Sequence, residues 1–252
     1  MAMVTETFPD FASAAAACGP GYQNPLIADV IAYKTSLGVD PRQFAPEQAV
    51  NSILSVGIAA AAITERPLTV LDFGGGCGFH YFRVTAALRA QLRWAVVETP
   101  AMAERAVKVA QGRFEVFTEI PAAAAALGAI HLIHASSSIQ YAAEPLSTLK
   151  ALAALRAPYF MLARFPIWSR QQTVGVQTSP LAANGIGPMP PDIEDRQVRY
   201  PVTFANFDEV MQIMSAYEIA MAIPSPSSNY NVHGQHVQGI SLIFRAKATR
   251  ST

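Results

Sequence analysis

An apolar run that ends in a cluster of glycines constrains this chain more than any other feature of its sequence. Leu68–Phe73 is short and hydrophobic, and glycines follow it at positions 74, 75, 76 and 78. The next stretch, Phe79–Gln91, has the composition of a helix. This order predicts a buried strand, a tight turn, and a helix whose amide-rich end faces the turn. A ligand can approach the backbone closely at such a turn.

Strand and helix patterns alternate beyond the glycines. Such alternation predicts a mostly parallel sheet with right-handed crossovers and helices on both faces. After the first strand, the predicted strands are Trp94–Val97, Arg113–Phe117, Ile130–Ala135, Tyr159–Phe165, Tyr217–Ile223 and Gly239–Phe244. The fold class is therefore α/β, with seven strands.

Two regions depart from this alternation. Residues 1–66 precede the first strand and have helical patterns, so we expect an N-terminal helical extension followed by one domain over 67–252. Residues 166–205 contain six prolines and little periodicity. A loop of that length inside a compact domain usually has a function, so we expect this insert to be a lid or a substrate wall.

The glycine spacing separates three kinds of nucleotide-binding loop. A dinucleotide fingerprint would need glycine at position 79, where this chain has Phe79, and a phosphate-binding loop would need Gly-Lys-Ser/Thr. The spacing found, from Asp72 to Gly78, is Asp-x-Gly-x-Gly-x-Gly. It resembles the first motif of class I methyltransferases that use S-adenosylmethionine (SAM). Glu98 ends the second strand, where a carboxylate can accept both ribose hydroxyls. A generic tight turn is the alternative for the glycines alone.

More of the chain carries a narrower resemblance. The stretches LDFGGGCGFHY, WAVVETPAMAERA, ASSSIQYAAEP and TVGVQTSP are similar to a group of bacterial proteins assigned as methyltransferases and often associated with surface-polysaccharide loci. The resemblance implies a Rossmann-like sheet with an antiparallel last strand, and SAM as the cofactor with S-adenosylhomocysteine (SAH) as its product. One departure is His131, where many class I enzymes begin the fourth strand with an acidic residue; it is expected to be a core residue with satisfied hydrogen bonds.

The cofactor site is expected at the carboxyl ends of the strands, where ligands bind in open α/β sheets. Thr118 follows the third strand, where the adenine would lie. Ser136 and Ser137 follow the fourth strand, although they could instead cap the next helix. The residues expected to bind the cofactor are Asp72, Gly74, Gly75, Gly76, Gly78, His80, Glu98, Thr99, Thr118, Ser136 and Ser137.

Acceptor and catalytic residues are expected at the same edge. Histidine is the natural base near neutral pH, and the connection Pro224–Gln238 contains His233 and His236. We expect one of these two to be the general base; the alternative is a solvated loop histidine. A metal pair is disfavoured because Asp192, Glu194 and Asp195 are distant in sequence, so no metal is expected. The residues expected to contact the acceptor are Tyr141, Arg164, Trp168, Gln177 and Tyr230.

Composition limits the kind of partner. Lys plus Arg equals Asp plus Glu, with 18 of each, so no net field attracts nucleic acid or an anionic membrane. The two cysteines and the absence of signal-peptide order in residues 1–17 predict a cytoplasmic location. A small-molecule acceptor is therefore favoured, and the family resemblance implies a sugar or sugar-linked hydroxyl. Two alternatives are a non-catalytic binding or scaffold protein with a SAM fold and a nicotinamide-dependent oxidoreductase, which Phe79 disfavours.

Overall fold

A computed structural model of the chain describes residues 2–38 and 46–248. Its strands and helices, in chain order, are β1 (Ala2–Phe8), α1 (Phe11–Cys18), α2 (Pro25–Ser36), α3 (Glu47–Ala62), β2 (Leu68–Phe73), α4 (Phe79–Ala87), β3 (Leu92–Val97), α5 (Pro100–Ala110), β4 (Glu115–Phe117), α6 (Ile120–Leu127), β5 (Leu132–Ser136), α7 (Pro145–Ala154), β6 (Tyr159–Pro166), β7 (Thr173–Pro180), β8 (Gln197–Phe204), α8 (Phe207–Ile213), β9 (Tyr217–Val232) and β10 (Gln235–Ala246).

The strands form one sheet in the order β4-β3-β2-β5-β6-β10-β9-β1-β7-β8. Strands β2 to β6 pair in parallel, whereas β10 runs antiparallel between β6 and β9. The seven strands from β4 to β9 in this order confirm the predicted Rossmann-like sheet with an antiparallel last strand. All five parallel strands therefore present their carboxyl ends at one edge, where the glycine turn lies.

Helices cover both faces of the sheet, as the alternation predicted. Neighbouring strand residues point to opposite faces, so Val70 and Leu71 of β2 enter different cores. Leu71 packs with residues of α6, α7 and α8. Val70 packs with residues of α3, α4 and α5. Since both neighbours are fully buried, the central strand is hydrophobic throughout, as parallel strands usually are.

The expectation of a long loop at 166–205 is wrong for much of that segment. Strands β7 and β8 pair antiparallel and extend the sheet beyond β1. Pro201 lies within β8, opposite Val176. Because β8 is the last strand of the sheet, its outer edge has no ladder that a proline would interrupt. The prolines therefore obscured a hairpin that is buried on both faces, by Val174 on one face and Val202 on the other.

The N-terminal region is helical only in part. Helices α1, α2 and α3 lie where helices were expected, but Ala2–Phe8 forms β1, which pairs with β7 and β9 inside the sheet. Positions 39–45 of the predicted extension lie outside the described residues. The boundary at residues 66 and 67 remains a prediction. Within the described ranges, no helix has both the length and the apolar character needed to cross a membrane.

The last two strands are longer than predicted and are interrupted by a bulge. Val237 pairs with Tyr230, but Gly239 pairs with Ser225, so residues 226–229 lie opposite a single residue of β10. Gly239 is required there because a Cβ would lie 2.6 Å from the carbonyl oxygen of Ser228. A bulge of this kind redirects side chains out of the regular alternation.

Candidate functional site

A large cavity opens at the carboxyl ends of the parallel strands. Its volume is about 810 Å³, within the usual range for small-molecule sites. The glycine loop forms its floor, and the β7–β8 hairpin and the bulge of β9 form opposite parts of its wall. Most of the predicted site residues line it, namely Gly74, Gly75, Gly76, His80, Glu98, Thr99, Thr118, Ser136, Ser137, Tyr141, Arg164, Gln177 and Tyr230.

The glycine loop is tight for reasons of packing. Gly74 and Gly78 have φ angles of 69° and 88°, in the left-handed region that favours glycine. A Cβ on Gly75 would lie 2.3 Å from Asp72 Oδ2, and a Cβ on Gly78 would lie 2.4 Å from the Phe114 ring. The loop can therefore turn directly from β2 into α4 only with glycine at these positions.

Glu98 fastens the end of β3 to the glycine loop. Its Oε1 accepts a hydrogen bond from the Gly76 N–H at 2.9 Å, and its Oε2 accepts one from the Thr99 N–H at 2.8 Å. Burial raises the pKa of the carboxyl to about 7, although both backbone hydrogen bonds act to lower it. Each carboxylate oxygen retains a lone pair, so this side chain can accept two further hydrogen bonds from a ligand.

Another part of the cavity lining is a hydrogen-bonded group of neutral side chains. The Tyr141 hydroxyl donates to Gln177 Oε1 at 2.9 Å, and Gln177 Nε2 donates to the Tyr200 hydroxyl oxygen at 3.1 Å. The ring of Tyr22 lies 5.1 Å from that of Tyr141 and 4.7 Å from that of Tyr200, measured between centroids. Burial raises the pKa values of Tyr22 and Tyr141, so these phenols stay neutral at physiological pH.

Two neighbouring strand ends carry strained backbone. Ser137 after β5 and Arg164 in β6 both have a φ of 54°, which is uncommon for residues other than glycine. The Ser137 N–H donates to the Ala163 carbonyl oxygen at 2.9 Å, so Ser137 lies beside the residue that precedes Arg164. The Arg164 guanidinium lies 3.3 Å from Ser136 Oγ and lines the cavity. Such strain is concentrated at functional sites.

A buried chain of polar side chains connects the glycine motif to the cavity. Asp72 Oδ1 lies 2.8 Å from Nδ1 of His134. Ser52 Oγ lies 3.0 Å from Nε2 of His134 and 2.7 Å from Nδ1 of His80. His80, on the first turn of α4, lines the cavity, whereas the other three side chains are fully buried. Burial lowers the pKa of His80 to about 3, so its imidazole is neutral at physiological pH.

Asp72 and Gly78 do not line the cavity. The Asp72 carboxylate is fully buried and also accepts a hydrogen bond from Trp94 Nε1 at 3.3 Å. Gly78 is buried against Phe114. Both residues therefore shape the loop from beneath, and neither contributes to the surface that a ligand would meet.

Trp168 also lies away from the cavity. Its ring is buried against Phe204 and Tyr230, and its Nε1 donates to the Gln171 carbonyl oxygen at 2.9 Å. A large aromatic residue soon after β6 was expected to face the acceptor. It instead packs against the face of the sheet formed by residues of β1, β8, β9 and β10.

The two histidines expected to supply a base are exposed and do not line the cavity. His233 lies in the β9–β10 turn, with a φ of 49°, and borders a separate surface depression with Thr7 and Trp168. His236 follows on β10, opposite Asn231. The connection does reach the cavity, but through the bulge, which contributes Ser227, Ser228 and Asn229 instead of the histidines.

The contacts of His131 and Cys77 indicate structural roles. His131 Nδ1 accepts a hydrogen bond from the Thr69 N–H at 3.0 Å, so its hydrogen bonding is satisfied as expected, but the residue is half-buried and does not belong to the core. Cys77 is fully buried, with its Sγ 3.6 Å from Sδ of Met102, and burial raises its pKa to about 12.

Several cavity residues had no recognisable signal in the sequence. They come from regions whose placement depends on the tertiary fold: the segment before α2, the start of α3, the β7–β8 hairpin with its connection, and the bulge of β9. The unpredicted lining residues include Tyr22, Gln23, Gln48, Ser179, Asn184, Tyr200, Ser227, Ser228 and Asn229.

Several solved structures are similar to this chain. A SAM-dependent methyltransferase from Clostridium acetobutylicum ATCC 824 is 9% identical, with coverage of 81% of this chain and 93% of that chain and a TM-score of 0.51. The N-terminal domain of EvdMO1 with SAH bound is 14% identical, with coverage of 80% and 82% and a TM-score of 0.49. Streptomyces venezuelae DesVI is 12% identical, with coverage of 78% and 92% and a TM-score of 0.45.

No protein-family model matches the sequence, and no curated protein matches it. At 9% identity, the likeness to the Clostridium enzyme shows the fold alone. The strand order β4-β3-β2-β5-β6-β10-β9 is thus that of the Rossmann-like methyltransferase fold.

Proposed function

We propose that this chain is a methyltransferase that binds SAM over the glycine loop and methylates a hydroxyl of a small, neutral, polyhydroxylated acceptor. The observation that carries the proposal is the carboxylate of Glu98. It is fastened to the backbone of Gly76 and Thr99 at the cavity edge and keeps free lone pairs. Two vicinal hydroxyls of a ribose are the partners that such a carboxylate accepts best.

The cavity residues fit this cofactor. The Glu98 carboxylate would hold the ribose, and Thr118, at the exposed end of β4, would lie beside the adenine. The backbone of Gly74 and Gly76 would face the methionyl part, with Ser136 and Ser137 beside it. Phe79 occupies the position where a dinucleotide fingerprint has glycine, so NAD would not fit the same turn.

The acceptor side supports a neutral, hydroxyl-rich molecule. Its wall contains phenol, amide and hydroxyl groups from Tyr141, Gln177, Ser179 and Tyr200, and these form a connected set of donors and acceptors. Arg164 is the cavity's cationic side chain. Aromatic rings combined with neutral hydrogen-bonding groups suit a sugar, and this agrees with the resemblance to proteins from surface-polysaccharide loci. The volume of about 810 Å³ leaves room for both ligands.

When bound, SAM supplies an activated methyl group on a sulfonium. The protein's own residues hold the two ligands in line and exclude water, which is the main requirement of a displacement at carbon. Neutral tyrosines and the Gln177 amide would orient the acceptor. Arg164 would stabilise negative charge that develops on the acceptor oxygen as its proton leaves.

The proposal is tested in two steps. Isothermal titration should show binding of SAH and no binding of NAD; binding of NAD alone would end the proposal. Radiolabelled SAM is then incubated with a panel of free monosaccharides and nucleotide-linked sugars, and transfer of label is measured. Binding of SAH with no transfer to any acceptor would favour the non-catalytic alternative.

A further inference from the structure

The hydroxyl of Ser52 bridges two buried histidines and limits which of their ring nitrogens can carry hydrogen. Ser52 has one hydroxyl hydrogen but three close partners: the Gln48 carbonyl oxygen at 2.8 Å, His80 Nδ1 and His134 Nε2. The Asp72 carboxylate accepts a hydrogen bond from Nδ1 of His134, so that nitrogen carries the hydrogen. A neutral His134 therefore has no hydrogen on Nε2. Ser52 then donates to that nitrogen.

The direction in which the Ser52 hydroxyl donates determines which ring nitrogen of His80 carries hydrogen. Once the Ser52 hydrogen points to His134, Ser52 Oγ can only accept from His80, so the hydrogen of a neutral His80 sits on Nδ1. The result is the same if Ser52 donates to the Gln48 carbonyl oxygen, since the oxygen again accepts from His80. In both arrangements Nε2 of His80 carries an unshared electron pair. His80 lines the cavity, so that pair is available to a ligand.

We propose that His80 is a catalytic residue that takes the proton of the acceptor hydroxyl, and that Ser52, His134 and Asp72 are positioning residues that carry the proton charge into the core. The inference rests on the proposed function. It replaces the two exposed histidines, His233 and His236, as the source of the base.

The proton path balances at each step. The hydroxyl proton of the acceptor passes to Nε2 of His80, the hydrogen on Nδ1 of His80 passes to Ser52 Oγ, and the original Ser52 hydrogen passes to Nε2 of His134. The acceptor oxygen uses its freed electron pair for the new bond to the methyl carbon, and the pair of the broken carbon–sulfur bond stays on sulfur. The added proton leaves by the reverse path after the products depart.

The relay explains how His80, which lines the cavity but has a low pKa, can still accept a proton. With a pKa of about 3, His80 would hold a proton poorly at neutral pH if that proton stayed on its own ring. The charged and titratable groups that act on it are His134 and Arg164, which lower its pKa, and Asp72, which raises it. The relayed proton instead rests on His134, 2.8 Å from the Asp72 carboxylate. A charge-assisted hydrogen bond of this length stabilises the resulting ion pair.

The location of His80 agrees with this role. Glu98, the ribose ligand in the proposed function, directly follows β3, on one side of the glycine loop. The partners of His80 lie on the other side, since His134 is on β5 and the charge of Arg164 on β6 acts on the ring. Arg164 on β6 and Tyr230 on β9, which line the cavity, lie on that same side in the strand order.

Nitrogen-15 NMR of the histidine rings tests the proton assignment without any acceptor. The chain has five histidines, so their ring signals can be assigned with one His→Gln variant each. In the full-length protein with SAH, His80 should be neutral with hydrogen on Nδ1 and a bare Nε2 from pH 6 to 8. Hydrogen on Nε2 of His80 at pH 7 would overturn the relay.

Ser52→Ala tests the bridge, and Ser55→Ala is its matched control. Ser55 is equally buried on the same helix but donates only to the Ser52 carbonyl oxygen at 3.0 Å. Ser52→Ala should release the fixed tautomer of His80 and lower kcat on a methylated sugar of the panel by about 10²–10⁴. Ser55→Ala should change neither quantity.

Titration with SAH separates this inference from the proposed function. Ser52→Ala should bind SAH within twofold of wild type. If the folded variant loses more than tenfold in SAH affinity, His80 faces the cofactor and the relay is wrong, while cofactor binding stands. If wild type binds no SAH, the proposed function fails, and the NMR tautomer still decides whether the relay is assembled. Unchanged kcat in Ser52→Ala would also contradict the relay.

Discussion

The carboxylate of Glu98 accepts a 2.9 Å hydrogen bond from the backbone N–H of Gly76, so the end of β3 is fastened to the glycine loop that follows β2. A single side chain thus connects the two sequence features that first suggested a nucleoside site. The same hydrogen bond orients the carboxylate before a ligand arrives, and preorganisation of this kind lowers the cost of binding.

Glu98→Ala should weaken SAH binding by about 1.5–3 kcal/mol, the usual scale for hydrogen bonds to a charged group. The variant should remain folded, because the side chain faces the cavity. Isothermal titration measures the affinity, and circular dichroism checks the fold. Glu115→Ala is the control, since that carboxylate pairs with Arg93 on the surface. Equal SAH affinity in wild type and folded Glu98→Ala would remove the residue from the cofactor site.

SAH affinity should depend on pH because the pKa of Glu98 is raised to about 7. The carboxylate is the form that accepts two hydroxyls, and it is lost as pH falls through 7. Binding should therefore weaken by about tenfold between pH 8 and pH 6, as expected for one group of that pKa. His80 does not titrate in this window, since its pKa is about 3. Titration at several pH values should give a flat profile for Glu98→Gln; a wild-type profile as flat as the variant's would contradict the assignment.

Trp168→Ala should affect stability and leave the cofactor site unchanged. The indole is 5% exposed, and truncating a buried Trp costs about 3–5 kcal/mol. Denaturant unfolding measures the loss, and SAH titration should match wild type. Ile167→Ala is the neighbouring control, because Ile167 is 36% exposed and should change stability by less than about 1 kcal/mol. A stable Trp168→Ala that fails to bind SAH would restore Trp168 to the site.

The parts of the fold that sequence could predict depend on local patterns. Short apolar runs separated by helical patterns predicted the alternation of strands and helices. The glycine spacing and Glu98 located the cofactor edge because each follows directly from a strand end. These features need no knowledge of distant residues.

The features that escaped prediction depend on register or on long-range contacts. The hairpin β7–β8 was obscured by Pro201, which an edge strand tolerates. The bulge at 226–229 arises from a shift in pairing that no local pattern records. The Ser52 bridge connects Ser52 to His80 and His134, which lie 28 and 82 positions further along the chain. A polar His134 inside an otherwise apolar strand was the one available signal, because a buried imidazole requires partners.

Gly75→Ala should disrupt the loop through one contact. The new Cβ would lie 2.3 Å from Asp72 Oδ2, and the carboxylate cannot retreat because His134 and Trp94 hold it. Either the loop or the buried polar chain must move, at a cost of about 1–3 kcal/mol for overpacking. Thermal unfolding should show this loss, and SAH affinity should fall at least tenfold because the moved backbone forms the cavity floor.

Gly57→Ala is the matched control for this substitution. Gly57 lies within α3, and a Cβ there would meet no heavy atom within 4 Å. Alanine in a helix interior is favoured over glycine by about 0.5–1 kcal/mol, so this variant should be slightly more stable and bind SAH normally. The contrast isolates the contact with Asp72 from the general effect of adding a methyl group. If Gly75→Ala is as stable as wild type and binds SAH equally well, the loop is not held against Asp72.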